Sequence, residues 1–253
     1  SVVLTTIKDG NINLKDVKTA SISDFYGAIV IDSGVEDLTV TKGVALDISL
    51  ATDLENATIN LVTDYDPLLT ATAATAALKA STYVAVTPNS QDLTALTLSG
   101  KMGTVTVSGQ NNLTNLTITG HVTALVASGN ADLENLIVTG ATIGNVTADN
   151  NDNMVSLTLD HTSYVTTAAP GTSVSVDGNA DLTNLTIKAD KIGILSIETN
   201  DDLVKITADG LLTTGTATAT VSIKDNDDRN EIKSFVENHL LAQDSRALRN
   251  YIK

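Results

Sequence analysis

The chain has 253 residues, a net charge of −15 and a sequence pI near 4.3. That balance excludes the basic footprint with which nucleic-acid binders displace counterions, and the absence of cysteine excludes disulfides and thiolate metal sites. With no Trp, 2 Phe and 5 Tyr, stacking platforms for sugars or bases are scarce, while 38 threonines favour strands.

In chain order, residues 1–27 are expected to form an irregular N-terminal arm or cap. The start at Ser1 fits removal of a signal peptide, and equally an artificial start. Its first residues, Ser1–Thr6 (SVVLTT), are strand-like, and Val2, Val3 and Leu4 could pair with an edge on a second molecule. From residue 28 to 224 the sequence repeats. Ile29–Gly34 followed by Asp37-Leu38-Thr39-Val40 is a first echo, and Asp53–Ile59 a second. Asp66-Pro67 then opens an Ala/Thr stretch, Leu68–Ala80, with the N-cap and first-turn proline of a short helix or the composition of a strand. It belongs to an excursion over residues 61–90.

The repeat is plainest from Asp92 onward: DLTALTL (Asp92–Leu98), NLTNLTI (Asn112–Ile118), DLENLIV (Asp132–Val138), NMVSLTL (Asn153–Leu159), DLTNLTI (Asp181–Ile187) and DLVKITA (Asp202–Ala208). Each unit holds two apolar pairs at strand spacing, such as Leu116/Ile118 and then Leu125/Ala127. A unit this short cannot bury its own apolar residues, so the copies must stack. The predicted fold is all-β: a parallel right-handed β-solenoid of ~20-residue coils with a helical C-terminal tail. Gly100, Gly120 and Gly140 mark one corner. Asn-rich runs mark the other, where Asn111, Asn130, Asn150 or Asn151, Asn179 and Asn200 are candidates for a stacked amide ladder.

A second excursion, residues 160–172, inserts HTSYVTTAAPG. Residues 225–253 form the tail. Ile232, Phe235, Val236, Leu240 and Leu241, then Leu248, Tyr251 and Ile252 follow a helical rhythm broken near Ser245. Lys224–Lys253 carries six basic and six acidic residues, so the rest of the chain holds the whole net charge. An amphipathic tail of this kind suits an end cap or a contact with a neighbouring subunit.

The N-x-x-L-x-x-L-x-I-x-G pattern at Asn111–Gly120, Asn130–Gly140 and Asn179–Ile187 resembles receptor L-domain-like and leucine-rich-repeat-like right-handed β-solenoids of secreted prokaryotic surface proteins. The resemblance covers residues 91–210 and implies an extracellular, mostly non-enzymatic recognition or cell-wall role. Capping cysteines and most aromatics of such proteins are missing here, so no binding residue carries over.

The functional expectation is a structural cell-surface protein, a subunit of a surface layer, filament or adhesin stalk. It self-associates through its non-repeating ends, using Val2, Val3, Leu4 and the apolar tail residues. No nucleic acid, membrane span or cofactor is called for. The alternative is an extracellular binding module. Calcium could be held by Asp149, Asp152, Asp201, Asp202, Asp225 and Asp227, although no twelve-residue calcium loop exists. Ice could be bound through outward Thr columns, which Ile137, Val126, Ser175 and Ser196 interrupt. Histidines 121, 161 and 239 sit in unrelated contexts, and no nucleophile–base pair can be nominated.

Overall fold

Alternating Leu/Ile/Val and Thr/Ser/Asn residues make strands whose alternate side chains face opposite ways, and one face is apolar enough to drive stacking. A computed structural model describes residues 1–5, 11–48, 51–61, 84–86, 92–161, 173–188, 194–209, 220–224 and 226. Its strands are β1 (Val2–Thr5), β2 (Asn11–Leu14), β3 (Thr19–Ile31), β4 (Asp37–Asp47), β5 (Asn56–Leu61), β6 (Val84–Val86), β7 (Ala95–Ser108) and β8 (Asn115–Ser128). They continue with β9 (Asn135–Asp149), β10 (Ser156–His161), β11 (Ser173–Asp177), β12 (Asn184–Lys188), β13 (Ile194–Glu198), β14 (Lys205–Asp209) and β15 (Thr220–Lys224).

All pairings are parallel, and the fold is an all-β solenoid of about 21-residue coils. One face follows the order β1-β3-β4-β5-β7-β8-β9-β10-β12-β14. The other is built from β2, β6, β11, β13, β15 and the second halves of β3, β4, β7, β8 and β9. Register holds along the first face, where Leu96, Leu116, Leu136, Leu157, Leu185 and Ile206 stack in one column, with Leu98, Ile118, Val138, Leu159 and Ile187 beside them; it shifts between Phe25 and Ala28, Val40 and Gly43, and Thr119 and His121. These residues are buried, as are the anchors Val35, Leu54, Leu93, Leu113, Leu133, Met154, Leu182 and Leu203. Each fully buried aliphatic contributes roughly 1.5–3 kcal/mol, which is why a slip of one residue is excluded.

Strand pairing begins earlier than residue 28. β1 pairs with β3 through Val2↔Ala20 and Leu4↔Ile22, and β2 pairs with the second half of β3. Within residues 1–27, Val2–Thr5, Asn11–Leu14 and the start of β3 therefore lie in register with the coils that follow. Val2 and Leu4 pack against the core, and Val3 alone of the three points outward, 70% exposed. The expected element at Leu68–Ala80, residues 162–172 of the excursion expected over 160–172 and, apart from Asn226, the tail of residues 225–253 lie outside the described residues.

The glycine corner is required by space more than by backbone angle. A Cβ on Gly120 would lie 2.1 Å from the Gly100 carbonyl oxygen, and one on Gly140 1.9 Å from that of Gly120. Successive backbones approach there too closely for any side chain.

Candidate functional site

The most organised polar feature is internal. Gln110, Asn130, Asn151, Asn179, Asn200 and Asn226 are buried in one column at the corner leading into the first face. Each unit closes a tight turn onto its anchor: the N–H of Leu133 bonds the Asn130 carbonyl at 3.1 Å, and Met154, Leu182 and Leu203 repeat this with Asn151, Asn179 and Asn200. The residue before the ladder position is left-handed in five coils: Gly109, Gly129, Asn150, Gly178 and Thr199, with φ of 67°, 65°, 56°, 66° and 52°. A β-branched residue rarely adopts this angle. Thr199 is held there by its hydroxyl, which donates to Asp177 and accepts from the Gly178 N–H at 3.1 Å.

The ladder asparagines donate both of their Nδ2 hydrogens. Asn130 donates from its backbone N–H (3.1 Å) and from Nδ2 (3.0 Å) to the Oδ1 of Asn151, and its other Nδ2 hydrogen goes to the Val107 carbonyl at 3.0 Å. Asn151 repeats the pattern on Asn179 and Ala127, and Asn179 on Asn200 and Ala148. Asn200 continues it to Asn226 and Val176. Gln110 enters the column through its backbone N–H, 3.0 Å from Asn130 Oδ1. The amide dipoles all run the same way, and the Oδ1 atoms of Asn151, Asn179, Asn200 and Asn226 each take two hydrogens. Such a network is stabilising only where its amides are paired, since a buried amide left unpaired costs about 1–3 kcal/mol.

This corrects the sequence reading at one rung and decides between two candidates at another. The place expected for Asn111 belongs to Gln110, and Asn111 is exposed; of Asn150 and Asn151, the second is the ladder residue. Asn226 was not foreseen.

On the outer surface of the first face, Ser21, Thr39, Thr58, Thr97, Thr117, Ile137, Thr158, Thr186 and Thr207 form one column in register. Beside it run Ser99, Thr119, Thr139, Asp160 and Lys188. Thr119 and Thr139 hydroxyls lie 3.4 Å apart, and Lys188 pairs with Asp160 at 3.5 Å. The flanking column changes from hydroxyls to charges toward the C-terminal end, as its sequence implies.

The second face carries an acidic column that was only partly anticipated. Asp149, Asp177, Glu198 and Lys224 are register neighbours. Asp149 Oδ1 accepts from the Ser175 hydroxyl and the Asp177 N–H, both at 3.1 Å; burial outweighs these bonds and pushes its carboxyl above the usual aspartate range. Glu198 is pulled the other way, chiefly by the Ser222 hydroxyl at 2.7 Å and the Ser196 hydroxyl at 2.9 Å, with Lys224 3.6 Å away. Asp177 and Glu198 follow directly after inward pairs Val174/Val176 and Leu195/Ile197, a position readable in the sequence.

The described calcium candidates are not gathered. Asp152 is exposed at a turn of one coil and the adjacent Asp201 and Asp202 at a turn of another, and Asp149 lies on the second face. Among the described residues no group of three or more His, Cys, Asp or Glu side chains is placed to hold a metal ion. Asp225, Asp227, Ile232, Phe235, Val236, Leu240, Leu248, Tyr251 and Ile252 lie outside the described residues. His121 is half-buried on β8, and His161 ends β10. Among the described residues no helix is long and apolar enough to cross a membrane. Comparison with known proteins found no matching family model and no similar curated protein or solved structure.

Proposed function

We propose that this chain is a structural subunit of an extracellular assembly at the cell surface: a surface layer, filament or adhesin stalk, without catalytic activity. The observation that carries this reading is where the polar chemistry goes. Buried amides are consumed in joining coil to coil, and the outer faces present short hydroxyl and amide side chains in repeating columns. That is the construction of a stiff spacer. The resemblance of the Asn-x-x-Leu coil to receptor L-domain-like and leucine-rich-repeat-like surface proteins supports the same reading.

Subunits join through their ends. Among the described residues β1 pairs only with β3, so its outer edge can accept a strand from a second copy, and Val3 is the exposed apolar contact there. Electron microscopy and light scattering of the full chain, compared with Val3→Lys and with a chain ending at residue 224, test this. Ordered polymers or layers that the variants lose are expected; a full-length protein that stays monomeric at millimolar concentration contradicts it.

A second reading, water or ice recognition, is favoured by the in-register Thr column alone. Thermal hysteresis that disappears in Thr117→Tyr would replace the scaffold reading.

A further inference from the structure

The asparagines of this chain fall into two chemical sets. Asn130, Asn151, Asn179, Asn200 and Asn226 are buried, and both Nδ2 hydrogens of each are donated within the coil stack. None is followed two residues later by Ser or Thr: the sequences are Asn-Ala-Asp, Asn-Asp-Asn, Asn-Ala-Asp, Asn-Asp-Asp and Asn-Asp-Asp. Five other asparagines open an Asn-x-Thr triplet in which x is not proline: Asn56, Asn112, Asn115, Asn145 and Asn184. All five are exposed.

Strand alternation explains why these triplets are presentable. The middle residue of each (Ala57, Leu113, Leu116, Val146 or Leu185) is buried, so in the strand triplets the Asn amide and the Thr hydroxyl emerge on the same outer surface. Asn56, Asn115 and Asn184 each open a strand, β5, β8 and β12, and occupy one column. Ala95 separates the first two; Asn135 and Ser156 separate the second and third. At ~4.8 Å per rung the spacings are about 10 and 14 Å, wide enough for a sugar on each. Among the described residues their Nδ2 atoms make single bonds: Asn56 to Asp37 Oδ1 (3.1 Å), Asn115 to Thr114 Oγ1 (2.9 Å) and Asn184 to Thr183 Oγ1 (2.8 Å). An amide nitrogen carries two hydrogens, so one can be replaced while the other keeps its bond.

We propose that Asn56, Asn115 and Asn184 are N-glycan acceptors, forming a decorated column along the first face, with Asn112 and Asn145 as further acceptors. The donor is a sugar activated on a phosphate or pyrophosphate carrier. Nδ2 forms a bond to the anomeric carbon as the carbon–oxygen bond to the carrier breaks; the carrier phosphate leaves with the electron pair, and the Nδ2 proton passes to a base of the transferase. This rests on the extracellular reading above, because the modification marks a secreted chain.

The test is peptide mass spectrometry on the protein purified from the cells that make it, with immunogold labelling to locate it. Sugar is expected at the Asn-x-Thr asparagines and at none of the ladder asparagines. Thr117→Ala leaves Asn115 in place and removes only an outward methyl and hydroxyl, so it should abolish sugar at Asn115 while Asn56 and Asn184 keep theirs. Surface-located protein with all five asparagines unmodified overturns the acceptor proposal and leaves the scaffold reading standing. Protein retained inside the cell and unmodified overturns both, and sugar persisting on Asn115 in Thr117→Ala overturns the triplet as its determinant.

Discussion

The first coils, through Leu61, and the later coils, from Ala95 onward, share strand register but close their corners by different means. Backbone bonds align the two regions: the N–H of Glu36 reaches Lys18, Glu55 reaches Glu36, Thr94 reaches Glu55 and Thr114 reaches Thr94, and the series continues to Val204. Counting four residues back from each gives the ladder place. In the later coils it holds Gln110 and the buried asparagines; in the first coils it holds Leu14, Asp32 and Ala51. The left-handed residue moves as well, from just before the ladder place to Asp16 and Gly34, two residues after it. A turn that is not braced by an amide column is braced instead by a carboxylate of the next coil: Asp53 Oδ2 accepts the Gly34 N–H at 2.6 Å. Parallel stacking is thus set by the apolar columns, and the amide ladder adds rigidity where it is continuous.

The largest expected effect is at the opposite corner. The first coils turn it through Asp24 and Lys42 in left-handed backbone, with their side chains paired at 3.2 Å in the open, whereas the later coils use glycine against backbone. Gly120→Val should abolish the cooperative unfolding transition seen by circular dichroism, because its Cβ would overlap the Gly100 carbonyl. Lys42→Ala should shift stability by less than about 1 kcal/mol. Equal effects of the two would break the distinction.

Next comes the ladder. Asn151→Ala removes the acceptor for both Asn130 donors and the donor to Ala127, so we expect about 3 kcal/mol or more lost in urea unfolding. The reciprocal change, Ala51→Asn, places an amide in a fully buried corner without the column to receive it; a loss of about 1–3 kcal/mol is expected. If Ala51→Asn stabilised the protein, the two corners would be equivalent after all.

Much of this was legible in the sequence because the anchor motif carries its own ruler. The anchor lies three residues after the ladder position: Leu113 after Gln110, Leu133 after Asn130, Met154 after Asn151, Leu182 after Asn179, Leu203 after Asn200. Applied strictly, that spacing selects Gln110 over Asn111 and Asn151 over Asn150. Asn226 was hidden because Arg229 stands where an anchor would be. The coil before residue 28 was hidden for a related reason: Val17 replaces the anchor leucine and Ala20 fills an inward place that later coils give to Leu, while Val35 and Ala57 make the next two coils fainter echoes. Smaller residues satisfy the same column while weakening the pattern that announces it.

The smallest expected effect concerns pH on the second face. The lowered Glu198 contributes stability above the ordinary glutamate range, and that contribution is lost as pH falls through its depressed pKa. Asp149 has the opposite sign. Its raised pKa means that ionisation costs stability at neutral pH, and the cost disappears on acidification. Asp149→Asn keeps an oxygen for Ser175 and the Asp177 N–H, so it should raise stability at pH 7 by less than about 1 kcal/mol, with no gain below about pH 4. Melting curves at both pH values check this, and a gain that persists in acid would contradict it.

Hydrogen exchange read by mass spectrometry tests the contrast between the two regions most directly. Peptides containing Asn130, Asn151, Asn179 and Asn200 should exchange only through global unfolding, and those containing Asp32 and Ala51 through smaller, earlier openings. Equal protection in both regions, or earlier exchange in the amide-braced coils, would contradict the role assigned to the ladder.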